Sequence, residues 1–182
     1  MNIPNILTSL RIVLIPVFVL IFYLPYSWAP IATGVVFAVA GFTDWLDGYL
    51  ARKLNQTSPF GAFLDPVADK LMVAISLALL VESYASWWIT IPAIVIIGRE
   101  IVISALREWM AEVGQRASVA VSYIGKVKTA LQMLAIMLMI VTEPYTTISI
   151  AGIIALYLAA ALTLWSMYQY LRASWPALSE QM

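Results

Sequence analysis

Asp44, Asp47, Asp65 and Asp69 are all the aspartates of a 182-residue chain, and they fall in one stretch, "DWLDGYLARKLNQTSPFGAFLDPVADK". Cysteine and histidine are both absent, which removes disulfides, thiolate or imidazole metal ligation and histidine general bases. Carboxylate, lysine, arginine, tyrosine, serine and threonine are left for chemistry. Carboxylate oxygens prefer hard cations, so Mg²⁺ or Mn²⁺ is the natural partner of such a cluster. Four carboxylates can hold two such ions about 3.5–4 Å apart, an arrangement suited to in-line displacement at phosphorus.

The spacing says which elements must present these groups. Asp44, Asp47, Gly48, Ala51 and Arg52 recur at i, i+3, i+4, i+7 and i+8 and share one helical stripe. Gly61, Asp65 and Asp69, at i, i+4 and i+8, form a second. Between them Ser58 suits an N-cap and Pro59 a first helical position, which predicts an antiparallel helical hairpin. A fold near residues 56–57 sets Asp44 opposite Asp69, Gly48 opposite Asp65 and Arg52 opposite Gly61. Four anions gathered in this way repel strongly and need cations. A network closed by Arg52, Lys53 and Lys70 would balance charge, but it leaves the interleaved small residues Gly48, Ala51 and Gly61 to be explained as close helix contacts. Within the second stripe, Pro66 would free the carbonyl of Ala62 and kink the helix beside Asp65.

The rest of the chain must hold this hairpin in a membrane. Hydrophobic residues make up 63% and charged residues 11%, and mean hydropathy is +0.91, well beyond a soluble domain. We expect an all-α integral membrane protein in which residues 1–182 form a single membrane domain. Six membrane-length segments can be drawn, at 6–26, 30–53, 59–81, 87–108, 119–141 and 147–171. The first lacks an A-x-A-like cleavage site and is read as a span. Arg11, Arg52, Lys53, Lys70, the basic residues from Arg99 to Lys128, and Arg172 all fall on one side, which predicts cytoplasmic termini. The other side offers Glu82 and Glu143 with Tyr23, Tyr26, Trp28, Tyr84, Trp87 and Trp88, an expected interfacial aromatic belt. No charge run interrupts the sequence, and no nucleic-acid partner is expected.

Asp44-x-x-Asp47-Gly48-x-x-Ala51-Arg52, eight residues, then Gly61-x-x-x-Asp65-x-x-x-Asp69 resembles the signature of the CDP-alcohol phosphotransferases, with every fixed position filled. Three further stretches, "NIPNILTSLRIVLIPVF", "GREIVISALREWMAEVG" and "YIGKVKTALQM", are similar to the branch of that family whose acceptor is glycerol 3-phosphate. The resemblance implies a six-span, homodimeric enzyme of the bacterial cytoplasmic membrane, its active site facing the cytoplasm among membrane lipids. It implies transfer of the phosphatidyl group of CDP-diacylglycerol to glycerol 3-phosphate, giving phosphatidylglycerophosphate and CMP. By the same resemblance, Asp44, Asp47, Asp65 and Asp69 bind two divalent cations, Mg²⁺ or Mn²⁺, and Asp69 acts as general base.

That reaction needs an anion pocket beside the metals. Arg99, Arg107, Lys126 and Lys128 are the candidates for the acceptor phosphate. Arg99 lies about eight residues inside the predicted fourth span, where a charge is costly enough to make function the default reading. Pairing with Glu100, Glu108 or Glu112, or snorkelling to the interface, is the structural alternative. Asn5 and Thr8, on one face of the first span, are implied to help bind the cytidine diphosphate, although Asn5 would equally serve as a helix cap. Gly48, Ala51, Arg52 and Gly61 are expected to shape the nucleotide pocket. Another acceptor alcohol, with the same chemistry, is one alternative function. A cation transporter is another, but it calls for acidic groups spread across the membrane, and all four aspartates fall at one end.

Overall fold

The computed structural model describes residues 3–53, 59–112 and 123–179. Among the described residues six helices follow one another and no strand is present: α1 (Ile3–Phe22), α2 (Ala29–Lys53), α3 (Pro59–Tyr84), α4 (Trp87–Glu112), α5 (Tyr123–Ile140) and α6 (Thr147–Ser179). Three stretches, Ala29–Leu50 of α2, Trp87–Glu112 of α4 and Thr147–Trp175 of α6, are long and apolar enough to cross a membrane. Shorter apolar stretches, Ile6–Phe22 and Val127–Ile140, lie in α1 and α5. In α3 the apolar residues are interrupted by Asp65, Asp69, Lys70 and Glu82.

Prolines mark several helix starts, since a missing N–H costs nothing in a first turn. Pro30 sits in the first turn of α2 and Pro59 opens α3. Three ends differ from the sequence reading by four residues or more, and one of them is that of α4, which runs to Glu112, past the expected 108. α1 stops at Phe22 rather than near 26, because Pro25 disfavours helical backbone at Leu24 and cannot donate to the ladder. α6 continues to Ser179, beyond the expected 171. Hydropathy marks where a helix leaves hydrocarbon, not where its hydrogen bonds end. The turn with Ser58, and residues 119–122 of the predicted fifth span, lie outside the described residues. α3 runs through Pro66 as one helix.

The core draws on every helix: Phe18, Phe37, Leu77, Leu80, Ile89, Ile96, Ile136, Met139 and Leu156 are all essentially inaccessible. Phe18 and Phe37 tie α1 to α2, with ring centroids 6.2 Å apart. α5 and α6 approach closely at Gly152, where a Cβ would meet Met139 Cγ at 2.7 Å and the Ala135 carbonyl oxygen at 3.2 Å. Of the expected aromatic belt, Tyr23, Tyr26, Trp28, Trp87 and Trp88 are exposed, but Tyr84 is buried. Its ring meets that of Tyr145 edge-on at 5.5 Å, and Tyr145 Oη donates to the Tyr84 carbonyl at 3.1 Å. α3 ends there: Ala85 takes a left-handed φ of 43°, and its N–H donates to the Val81 carbonyl at 3.0 Å.

The packing of α1 matters most for chemistry. It lies against both α2 and α3, which touch each other only lightly. The expected hairpin is therefore bridged by the first helix as well as by its own contacts.

Candidate active site

Asp47 lies six residues inside the end of α2 at Lys53, and Asp65 lies six inside the start of α3 at Pro59, about 9 Å along each helix at 1.5 Å per residue. Asp44 and Asp69 are nine and ten residues in, about 14–15 Å. The two stripes thus present their carboxylates at matching depths. Asp44 and Asp69 line one narrow cleft, as the expected register requires.

What closes this cluster comes from α1. Arg11 is 1% exposed, and a guanidinium so buried must be paired. Its Nη1 donates to Asp44 Oδ1 at 2.7 Å and its Nη2 donates to Asp47 Oδ2. Thr8, one turn earlier, donates its hydroxyl to Asp65 and lies 3.4 Å from Asp47 Oδ2. Thr8 therefore contacts the acidic cluster directly. The closing cation, for which the sequence offered Arg52, Lys53 and Lys70 only as an alternative to metal ions, is Arg11 among the described residues, while Lys70 Nζ donates to Ser104 Oγ. No signal short of the α1 packing reveals this, because an arginine near the start of a span looks like a topology marker.

The donor set itself suits hard divalent cations: every ligand on offer is a carboxylate oxygen. In this arrangement, among the described residues, no group of three or more carboxylates is drawn together around one point. Arg11 supplies part of the positive charge instead. The residues therefore fit the ions by chemistry, in a cluster that Arg11 already partly neutralises.

A second, basic cavity of about 290 Å³ opens beside the first cleft, lined by Asp69, Lys70, Arg99, Glu100, Arg107, Lys128, Gln132, Ser166 and Tyr170 among others. Asp69 lines both cavities, and among the described residues no salt bridge engages it. Arg99 is mostly buried and donates from Nη1 to Glu100 Oε1 and from Nη2 to Ser166 Oγ, each at 3.0 Å. Lys128 Nζ donates to the same Glu100 oxygen at 2.6 Å. Arg107 stacks on the Tyr170 ring with its Cζ 4.9 Å from the centroid, and also donates to Tyr170 Oη. Arg99 Nε and Gln132 Oε1 are buried without a hydrogen-bond partner among the described residues.

The structure thus brings Arg99, Arg107 and Lys128 together around one cavity, and the pairing of Arg99 with Glu100, the alternative weighed from sequence, is present as well. Glu100, Gln132, Ser166 and Tyr170 enter the site unannounced except for Glu100, whose position next to Arg99 was a signal. Gly48 and Gly61 sit on α2 and α3, partly and fully buried respectively. The side chains of Asn5, Ala51, Arg52 and Lys126 lie outside what the structure describes.

A sequence model of the CDP-alcohol phosphatidyltransferase family matches residues 1–165, which takes in both cavities save Ser166 and Tyr170. The chain belongs to this family. Among curated CDP-alcohol phosphatidyltransferase relatives, the CDP-diacylglycerol–glycerol-3-phosphate 3-phosphatidyltransferase of Sodalis glossinidius is 60% identical over 174 residues, 96% of this chain and 95% of its own length. Proteins of the same name from Yersinia pestis (strain Pestoides F) and Salmonella typhimurium (strain LT2) are each 57% identical. They cover 99% and 95% of this chain, and 98% and 94% of their own lengths.

Proposed function

We propose that the protein transfers the phosphatidyl group of CDP-diacylglycerol to glycerol 3-phosphate, releasing CMP and forming phosphatidylglycerophosphate. The near full-length relatives carry this activity in their names. The observation that carries the reading is Asp69, which borders both the acidic cluster and a cavity furnished with Arg99, Arg107 and Lys128. A metal-bound pyrophosphate and a phosphate dianion are the two ligands such neighbouring sites would take.

In this mechanism Arg99 and Lys128 hold the acceptor phosphate, with Arg107 at the exposed rim. Asp69 accepts the proton of the acceptor's primary hydroxyl as its oxygen bonds to the β-phosphorus of the donor. The bond from that phosphorus to the bridging oxygen breaks, and CMP leaves with the electron pair. Two divalent cations, Mg²⁺ or Mn²⁺, held chiefly by Asp44, Asp47 and Asp65, with Asp69 only partly engaged so that it stays free to act as base, would offset the charge of the pyrophosphate and of the departing CMP. Thr8 orients Asp65 beside Asp47, and Thr8, Asn5, Gly48, Ala51, Arg52 and Gly61 are assigned to nucleotide binding on the family resemblance. Lys126 joins the acceptor side of the site.

The same reading has all six helices crossing a bacterial cytoplasmic membrane, both termini and the active site on the cytoplasmic side, and two copies pairing as a homodimer. The one-sided lysines and arginines support the orientation, and family resemblance supports the dimer. The test is an acceptor panel with purified protein, CDP-diacylglycerol and Mg²⁺ or Mn²⁺. CMP release and formation of the phosphorylated lipid with glycerol 3-phosphate are expected. Turnover with another alcohol and none with glycerol 3-phosphate would reassign the substrate.

A further inference from the structure

Gln132 has no part in the mechanism above, yet it is one of the most confined polar groups in the basic cavity. It is 4% exposed, lines the cavity with Asp69, Arg99 and Lys128, and its Oε1 is buried without a hydrogen-bond partner among the described residues. Leaving such an oxygen unsatisfied is unfavourable, since it has given up its hydrogen bonds to water without replacement. A group that persists in that condition on a cavity wall is suited to a ligand donor.

Position says which donor. Gln132 follows Lys128 by four residues, so the two share a face of α5 one turn apart. Lys128 and Arg99 take the phosphate in the reading above, and Asp69 takes the reacting hydroxyl. Glycerol 3-phosphate carries a second hydroxyl, on C2, on the carbon between those two ends. An amide oxygen on the wall of the cavity that the phosphate-binding and proton-accepting groups also line can pair with that hydroxyl.

We propose that Gln132 is a specificity residue that accepts a hydrogen bond from the C2 hydroxyl of the acceptor, so that the site selects a vicinal hydroxyl-bearing phosphate over a simple hydroxyalkyl phosphate. The proposal rests on the assignment of glycerol 3-phosphate as acceptor. A site built to pair a substrate hydroxyl penalises an analogue lacking it, because its own polar group is then left unpaired.

The experiment compares kcat/KM for glycerol 3-phosphate and for 3-hydroxypropyl phosphate, which differs only by lacking the C2 hydroxyl, in wild type and in Gln132→Met. Wild type is expected to prefer glycerol 3-phosphate by about tenfold or more. In Gln132→Met the preference should shrink to about twofold, through a higher KM for glycerol 3-phosphate and little change for the analogue. Gln132→Asn, which keeps the amide but withdraws it by one methylene, should fall between the two and keeps the test open where the methionine variant does not fold. A wild-type preference that survives in both variants, or no preference in wild type, overturns the role of Gln132 while leaving the acceptor assignment standing. Absence of wild-type turnover with glycerol 3-phosphate overturns both.

Discussion

The acidic cluster and the basic cavity meet at one residue and are built on opposite plans. Between α1, α2 and α3, two of the four aspartates, Asp44 and Asp47, are paired among the described residues with one buried guanidinium, that of Arg11. Among α3, α4, α5 and α6, Lys70, Arg99, Arg107 and Lys128 line a cavity whose own carboxylates are Glu100 and the shared Asp69. One side carries surplus negative charge and the other surplus positive charge. In a low-dielectric setting neither surplus, as the described residues carry it, is stable without further counter-charge. The contrast fits the proposed pair of ligands, a cation-bearing one and an anionic one, and Asp69 lines both cavities.

Chelation is the most severe way to break the comparison. Removing divalent ions is expected to reduce CMP release about a thousandfold or more, with recovery on adding Mn²⁺. Persistent turnover in excess chelator would mean that Arg11 alone serves the acidic side. Replacing Arg11 by Met should strand Asp44 and Asp47 and lower stability by about 3–5 kcal/mol in chelator, read as a fall in melting temperature that Mn²⁺ largely reverses. A melting temperature unchanged in chelator would show that the pairing with Arg11 is not needed.

Changes on the basic side should be selective. Arg99→Ala is expected to raise the acceptor KM about tenfold to a hundredfold, the worth of a charged hydrogen bond, and to leave the CDP-diacylglycerol KM within about twofold. Equal effects on both substrates would dissolve the distinction between the sites. Tyr170→Phe keeps the ring under Arg107 and removes only the hydroxyl that accepts its hydrogen bond. The acceptor KM should rise only about two- to fivefold, as suits one exposed hydrogen bond.

Much of the acidic side is legible in the sequence because its spacing lies within two neighbouring helices. The i, i+3 and i+4 intervals of Asp44, Asp47 and Gly48, and the i+4 interval of Asp65 and Asp69, are local, and Pro59 announces the helix that carries the second pair. Arg11 is not legible in the same way. Its burial depends on α1 lying against both α2 and α3, and nothing within the first helix encodes that neighbour. The basic side shows the same division. Arg99 and Lys128 stand out as charges in apolar helices, whereas Ser166 and Tyr170 are 67 and 63 residues from the arginines they meet, and neither is unusual in its own segment. The end of α6 escapes for a different reason, since a helix that emerges into water carries no hydropathic mark of where it stops.

The claim that two different sites share one base is tested most directly on Asp69 itself. Purified Asp69→Asn should be assayed for Mn²⁺ binding, for binding of CDP-diacylglycerol and for CMP release with glycerol 3-phosphate. The account predicts both binding constants within about threefold of wild type and turnover lower by about 10²–10⁴-fold, the range for loss of a positioned base. Turnover retained, or lost together with Mn²⁺ binding, would contradict it: the first leaves proton removal to another group, and the second makes Asp69 chiefly a ligand.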